Sequence, residues 1–491
     1  MARTSTESCV LKLKLKTSPQ DAAYLDACFL DGWRIYNVLV RHCRKRLASL
    51  RQDPDYQNLL EAYRSSGNRV EKKELSRQLS RIVASYGLTE YGLHAFVKKQ
   101  QARYKKHINS LVAQKIASSV WRGVEKVLYS DGKALHFRKL KDFRSLEGKN
   151  NATGLIFRKG TLYVNGRPIQ VSRHKRDGSS ARRYEEEALK GRVKYCRLVR
   201  EPVGTAWHYY VQLILEGTPP RKHAMGTGRA GLDIGTSTAA VVSDRQCILT
   251  LLGESVAAVE KEQRRIARRM DRSRRATNPQ NYRPDGTVKR GPKTWQYSKT
   301  YQKLQMRYGS LCRKRAAALK QEQEILANHI VSQCDTLYVE KMHFKGLQRR
   351  ARQAKVKENG KYASRKRFGK SLQARAPAQF CGILKRKLEA LGGQYLEVDT
   401  RTFRASQYDH VTDTYVKKKL SRRHHAINGR WIQRDLYSAF LLMNSADTLD
   451  HADRERCFET FDTFLRAHDA CISIICNTKK KILRSFGLST A

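Results

Sequence analysis

Three carboxylates in this chain of 491 residues sit where an ordinary fold has no need of a charge. Asp233 lies inside GLDIG, Glu340 closes LYVE ahead of Lys341, and Asp435 opens DLYSAFLL. An ionised carboxylate flanked by Leu232 and Ile234, or by Leu337 and Val339, is costly without a counter-charge. Hard oxygen donors of this kind suit Mg²⁺, and Mn²⁺ accepts the same set. Two such ions side by side would activate a water and stabilise the leaving oxygen of an in-line phosphodiester displacement. Each acid alone also fits a plain structural role. Asp233 could mark a strand-to-turn transition, Glu340 could pair with Lys341 or Lys345, and Asp435 could sit near a helix start, where the dipole favours an anion. Their joint occurrence, one at each expected point of a single fold, points to a metal site.

That fold is legible in the order of elements. AGLDIGTSTAAVVSD and CILTLLG predict three strands in hairpin order, and a basic helix begins near Glu254. A polar loop (TNPQNYRPDGTVKRGPK) leads to a long helix from about Lys299 to Cys334 and the strand TLYVEKM. A basic loop, a helix over Ala378 to Leu391, the strand QYLEV and a final helix over Arg430 to Met443 complete the series. This is the connectivity of an RNase H-like nuclease domain. Upstream, Cys9 to Lys16 alternates at period two and reads as one strand in need of partners. From Gln20 to about Leu128 the pattern is helical, with Leu25, Phe29, Trp33, Tyr36 and Val40 on one face and a second long helix over His94 to Val127. LHFRKL, TGLIFRKGTLYVNG, KYCRLVRE and WHYYVQLILEG then predict short strands of a small barrel or sandwich, which the N-terminal strand could complete. The fold class is multidomain α/β. Its expected parts are 1–18 (first strand of the barrel), 19–128 (helical domain), 129–225 (β-barrel), 226–401 (nuclease domain), 402–430 (insert) and 431–491 (last nuclease motif and C-terminal helix). That C-terminal helix, with Phe458, Phe461, Phe464, Leu465, Ile472 and Ile475, is expected to pack on the nuclease domain; a dimer contact is the second reading.

Composition names the partner class. There are 98 Lys+Arg against 45 Asp+Glu, a formal net charge of +53, and such self-repulsion calls for a polyanion, with nucleic acid first. A hydrophobic fraction of 40% with 23 Tyr, 14 Phe and 5 Trp separates the chain from disordered basic tails. No apolar run approaches the roughly 18 residues that span a bilayer, and no signal segment is evident, so a bacterial cytoplasmic protein is expected. The 11 cysteines form no C-x-x-C pair and read as small buried hydrophobes.

GLDIGTSTAAVVSD, LYVEKMHFKGL and NGRWIQRDLYSAFLL resemble the three RuvC motifs of TnpB, the transposon-borne RNA-guided nuclease, and of the compact type V CRISPR effectors of that lineage. The similarity extends to YNVLVRHCRKRL, GKALHFRK and RSRRATNPQNYRPDGTVKRG, and so over nearly the whole chain. The resemblance implies that Asp233, Glu340 and Asp435 are the catalytic ligands of two Mg²⁺ ions. It also implies that the helical part is a recognition domain and the barrel a wedge domain. The implied partners are guide RNA and target DNA, double- and single-stranded, with sequence read by guide pairing. A catalytically silent RNA-guided DNA-binding protein and a strand-joining transposase are the rival readings; the intact acids oppose the first, and the lack of a Tyr or HUH nucleophile motif opposes the second.

One segment departs from that pattern. Where most members carry paired cysteine knuckles, FRASQYDHVTDTYVKKKLSRRHHAINGRW holds no cysteine, so no structural zinc is expected. His410, His424 and His425 are its only soft ligands and are expected to be solvated or phosphate-facing, while Lys417, Lys418, Lys419, Arg422 and Arg423 give it a phosphate-binding character. Between Arg349 and Arg375 stand eleven Lys or Arg against one acid, Glu358. Arg349, Arg350, Arg352, Lys355, Lys366 and Arg367 of this run are expected to contact nucleic acid as a lid beside the site.

Overall fold

Alternation in SCVLKLKL sets the first element, β1 (Ser8–Leu15), with Leu11, Leu13 and Leu15 buried and Lys12 and Lys14 exposed. The computed structural model describes residues 6–173, 179–204, 206–220, 224–353, 356, 368–419, 422–478 and 484–488; Lys355, Lys366 and Arg367 lie outside them. Two compact units emerge, Met1–Lys222 and His223–Ala491.

In the first unit β1 is followed by α1 (Pro19–Gln52), α2 (Pro54–Ser65), α3 (Arg69–Ser85), α4 (Glu90–Gln101) and α5 (Ser110–Tyr129). The single helix expected over His94 to Val127 is therefore two. Gln101 Nε2 donates to the Ile108 carbonyl at 2.7 Å, and the Asn109 side chain caps α5 by accepting from the Leu111 amide at 2.9 Å, so local polar bonds outcompete continued helix. The strands β2 (Ser145–Glu147), β3 (Leu155–Arg158), β4 (Thr161–Val164) and β5 (Arg167–Ser172), the helix α6 (Ser180–Ala188), and β6 (Val193–Val203) and β7 (Ala206–Glu216) complete the unit. LHFRKL, expected as a strand, is not one. Its backbone is engaged from α1 instead: Asn37 bonds both the amide and the carbonyl of Arg138 at 3.0 Å, and Trp33 Nε1 donates to that carbonyl at 2.6 Å. The seven strands form one curled sheet in the order β2-β6-β7-β1-β5-β4-β3, with β1 completing it between β7 and β5. Helices and sheet share one core, in which Leu25, Phe29 and Val112 meet Leu13, Leu198 and Val211.

The second unit begins with β8 (Arg229–Ile234), β9 (Thr238–Ser243) and β10 (Cys247–Leu251), then α7 (Ala257–Thr277), α8 (Lys299–Val331) and β11 (Thr336–Glu340). After α9 (Phe344–Gln348), α10 (Gly369–Arg375) and α11 (Pro377–Leu391) comes β12 (Gln394–Val398). Two small hairpins follow, β13 (Tyr408–Asp409) with β14 (Thr414–Tyr415) and β15 (His424–Ile427) with β16 (Arg430–Gln433). The chain ends in α12 (Arg434–Met443) and α13 (Arg454–Asn477). The helix expected from Arg430 thus starts four residues later, because an Asn428-Gly429 turn with positive φ at both positions folds 424–433 into a hairpin first.

The five-stranded sheet runs β10-β9-β8-β11-β12, with β8, β11 and β12 parallel and β9 and β10 antiparallel. Parallel strands need cover on both faces. On one side Leu232 and Val339 pack with Ile330 of α8 and Phe380 and Leu384 of α11. On the other, Val242 and Tyr338 pack with Phe440 of α12 and Phe464 of α13. Every residue from Leu436 to Met443 is buried, so α12 is a central helix, apolar all round. Arg375, from the basic run, is structural: it bonds the Gly253 carbonyl and pairs with Glu260 at 3.7 Å. Among the described residues no helix is long and apolar enough to cross a membrane.

Candidate active site

Strand register places the first two acids together. β8 and β11 run in parallel with Val339 opposite Leu232, and the next residue of each strand is Glu340 and Asp233. Since Leu232 and Val339 face α8 and α11, alternation turns Asp233 and Glu340 to the opposite face, that of α12. Gly231 lets the helix in. A Cβ at this position would run into the Ala439 carbonyl oxygen and stand 2.5 Å from the Met443 amide nitrogen. With only hydrogen there, the backbone of α12 lies directly on β8, and Asp435, one helical turn before Ala439, comes within electrostatic reach of Asp233.

The start of α12 is fixed by a chain of polar contacts. The Gln433 side chain accepts from the Leu436 amide at 2.7 Å, capping the helix, and the Gln433 amide donates to Nε2 of His468 at 3.0 Å. Nε2 is therefore the bare nitrogen of His468, whose Nδ1–H donates to Asp469 at 2.8 Å. Both Gln433 and His468 are buried. Asp435 then stands in the first helical turn, where the helix dipole favours its charge.

Burial is the largest cause that drives the Asp233 carboxyl well above its usual range, and the charges of Asp435 and Glu340 drive it further; Arg434 and Arg423 act against both. Burial pushes Glu340 up to about 7. Asp435 has partial counter-charges, Arg434 at 3.3 Å and Arg423 at 3.9 Å. Among the described residues, no three His, Cys, Asp or Glu side chains are gathered closely enough to hold one ion. The acids repel one another across a short span, and a hard divalent cation is the group that would relieve this; the all-oxygen donor set fits such an ion.

No family's sequence profile and no curated protein matches the chain. Among solved structures it is similar to the Cas12f1–sgRNA–target DNA complex, with a TM-score of 0.45 and 9% identity over 88% of this chain and 98% of that one. It is also similar to a CRISPR-Cas12f ternary complex, with a TM-score of 0.24 and 12% identity over 89% of this chain and 99% of that one.

The basic residues expected to meet nucleic acid divide by environment. Arg349, Arg350 and Arg352 are exposed just beyond α9, and Lys417, Lys419 and Arg422 are exposed beside the second hairpin. Arg423 instead faces Asp435, and half-buried Lys418 bonds Nδ1 of His425, with burial as the main cause lowering its pKa. The expectation for the histidines fails at two of three positions. His410 and His425 are buried, and desolvation is the chief cause that lowers them to about 4 and about 3. The Tyr437 hydroxyl accepts from the His410 amide at 3.2 Å and meets the ring Nδ1 at 2.7 Å, so these rings serve the core around α12. Sequence reasoning passed over Gly231, Arg434, Gln433 and His468. Only the glycine left a signal, as a residue that the interior of a strand disfavours.

Proposed function

We propose that this chain is an RNA-guided DNA endonuclease that uses divalent metal ions at Asp233, Glu340 and Asp435. The observation that carries the reading is the burial of Asp233 against the charges of Asp435 and Glu340 on the inner strands of a sheet ordered β10-β9-β8-β11-β12. That order, with acids on the first and fourth strands of this unit and on α12, supports an RNase H-like reading. The guided character rests on the three ordered RuvC-like motifs, and the charge of +53 supplies a grip on backbone phosphates.

Bound at these oxygens, Mg²⁺ would supply an activated water and charge stabilisation for the departing oxygen. The chain's own part is to hold three carboxylates on rigid elements, with burial raising the pKa of Asp233 and Glu340. Arg423 and Arg434 hold Asp435 in place, and their guanidinium groups would also suit phosphate oxygens brought to the site. A catalytically silent, guided DNA-binding protein is the second reading, favoured because among the described residues no three such side chains are gathered closely enough to hold one ion. One experiment separates the two. The purified ribonucleoprotein, with its co-purifying RNA sequenced, should cut DNA complementary to that RNA in Mg²⁺, and Asp233→Ala should abolish the cut while leaving DNA binding largely intact. Full cleavage by Asp233→Ala would refute the site; binding with no cleavage by the natural chain would establish the silent reading.

A further inference from the structure

The hairpin that leads into α12 carries a partly exposed aromatic ring, Trp431. β15 and β16 pair His425 with Ile432 and Ala426 with Trp431. Alternation sends His425, Ile427 and Ile432 into the core, and turns Ala426 and Trp431 to the other face. Trp431 is 42% exposed. Its cross-strand partner is a methyl group, too small to cover an indole. His424 lies along one side of the ring, with centroids 5.5 Å apart and planes inclined by 32°, and His468 approaches another edge at 6.3 Å. The exposed part of the indole is a π-face open to a stacking partner.

Charge and position indicate what that is. Exposed Arg422 and Arg430 lie on the same hairpin or directly before it, and no acid occurs between Lys417 and Arg434. An open aromatic face among arginines binds an unpaired nucleobase, with the phosphates of the same strand on the cations. Trp431 precedes Asp435 by only four residues, so their Cα atoms lie within about 14 Å, roughly four stacked nucleotides. We propose that Trp431, supported by His424, is a stacking platform for one unpaired base of the DNA strand entering the carboxylate site, and that it sets where on that strand the cut falls. This inference rests on the nuclease reading above and adds a substrate subsite to it.

The platform needs a π-face and no particular base, since every base presents one. Trp431→Phe should therefore keep function and Trp431→Ala should lose it. The test uses the ribonucleoprotein and a single-stranded DNA complementary to its RNA, carrying one 5-iododeoxyuridine at successive positions around the mapped cut. Ultraviolet cross-linking should join the DNA to Trp431 from a position within about four nucleotides of that cut. Trp431→Ala should lower kcat/KM about ten- to a hundred-fold, mostly through KM, and spread the cut over neighbouring phosphates, with thermal stability and guide-RNA retention unchanged. Trp431→Phe should restore both rate and position. Cleavage by Trp431→Ala at the natural rate and position, with no cross-link at Trp431, would overturn the platform while leaving the nuclease reading intact. A natural chain that makes no metal-dependent cut would overturn that reading itself.

Discussion

Replacing Glu340 by Gln should stabilise the metal-free protein at neutral and alkaline pH while abolishing cleavage. Glu340 is held at about 7 in the fold against an ordinary 4.5, so the folded chain keeps a proton that the unfolded chain has released. Stability tied to that proton is complete below about 4.5, is lost as pH rises through about 7, and stays lost above. At about 1.4 kcal/mol per pH unit the span corresponds to about 3 kcal/mol. Glu340 keeps part of its surface open to water, so screening places the measured value in the lower part of that range. The pH curve of the natural chain hides the effect, because His410 and His425, lowered to about 4 and about 3, lose stability in the opposite direction as pH falls below about 6.5. The difference between Glu340→Gln and the natural chain removes these common contributions. Calorimetry in EDTA should show no difference at pH 4 and a gain that grows between pH 4.5 and 7.5, reaching roughly 5–10 °C in the transition of the second unit. Saturating Mg²⁺ should reverse the order, since only the natural chain retains all its ligands. A gain independent of pH, or a loss at pH 8 in EDTA, would refute the reasoning.

Gly231→Ala should cost about 3 kcal/mol or more and eliminate cleavage, because a methyl group there meets the backbone of α12 and lifts Asp435 away; chemical denaturation and a cleavage assay check both. Tyr437→Phe should cost about 1–3 kcal/mol by leaving both the His410 amide and its ring nitrogen without their shared oxygen, and urea unfolding measures it. The segment 402–430 should keep its fold without zinc, so elemental analysis should find none at stoichiometric level. Zinc that is lost together with cleavage on chelation, and whose return restores both where Mg²⁺ does not, would contradict this.

What the sequence disclosed and what it concealed divide along a physical line. Strands with clear alternation or continuous apolar runs, such as CVLKLKLK and TLYVE, were readable because one local pattern decides them. LHFRKL alternates equally well but is coil, since the side chains of Trp33 and Asn37, a hundred residues earlier, take its backbone bonds. The carboxylates could be named from their apolar flanks. The pairing of Asp435 with Arg423 could not, because it depends on the turn at Asn428-Gly429 that folds residues 424–433 back on themselves. His410 and His425 were misread for a related reason. In a stretch this basic, polarity suggests solvent, and only the placement of Tyr437 beneath them shows that these rings are core.

That placement explains how a segment without cysteine stays attached. Phe403, Ala405, Tyr408, Ile427 and Ile432 are buried in the same cluster as Leu436, Tyr437 and Phe440, so the segment is anchored in the core of α12 and forms no separate core of its own. His410 sits among Phe440, Phe458 and Phe461 and is bonded to Tyr437, while Arg454 of α13 donates to its carbonyl at 2.9 Å. A metal knuckle makes a small module that can move as a body, because its stability is internal to the module. Here the stabilising contacts run through the helix that carries Asp435. Force applied to the segment, as a strand bound at Arg422 or Trp431 would apply it, would therefore be borne by the start of α12. A strand bound there would thus be coupled mechanically to the position of Asp435.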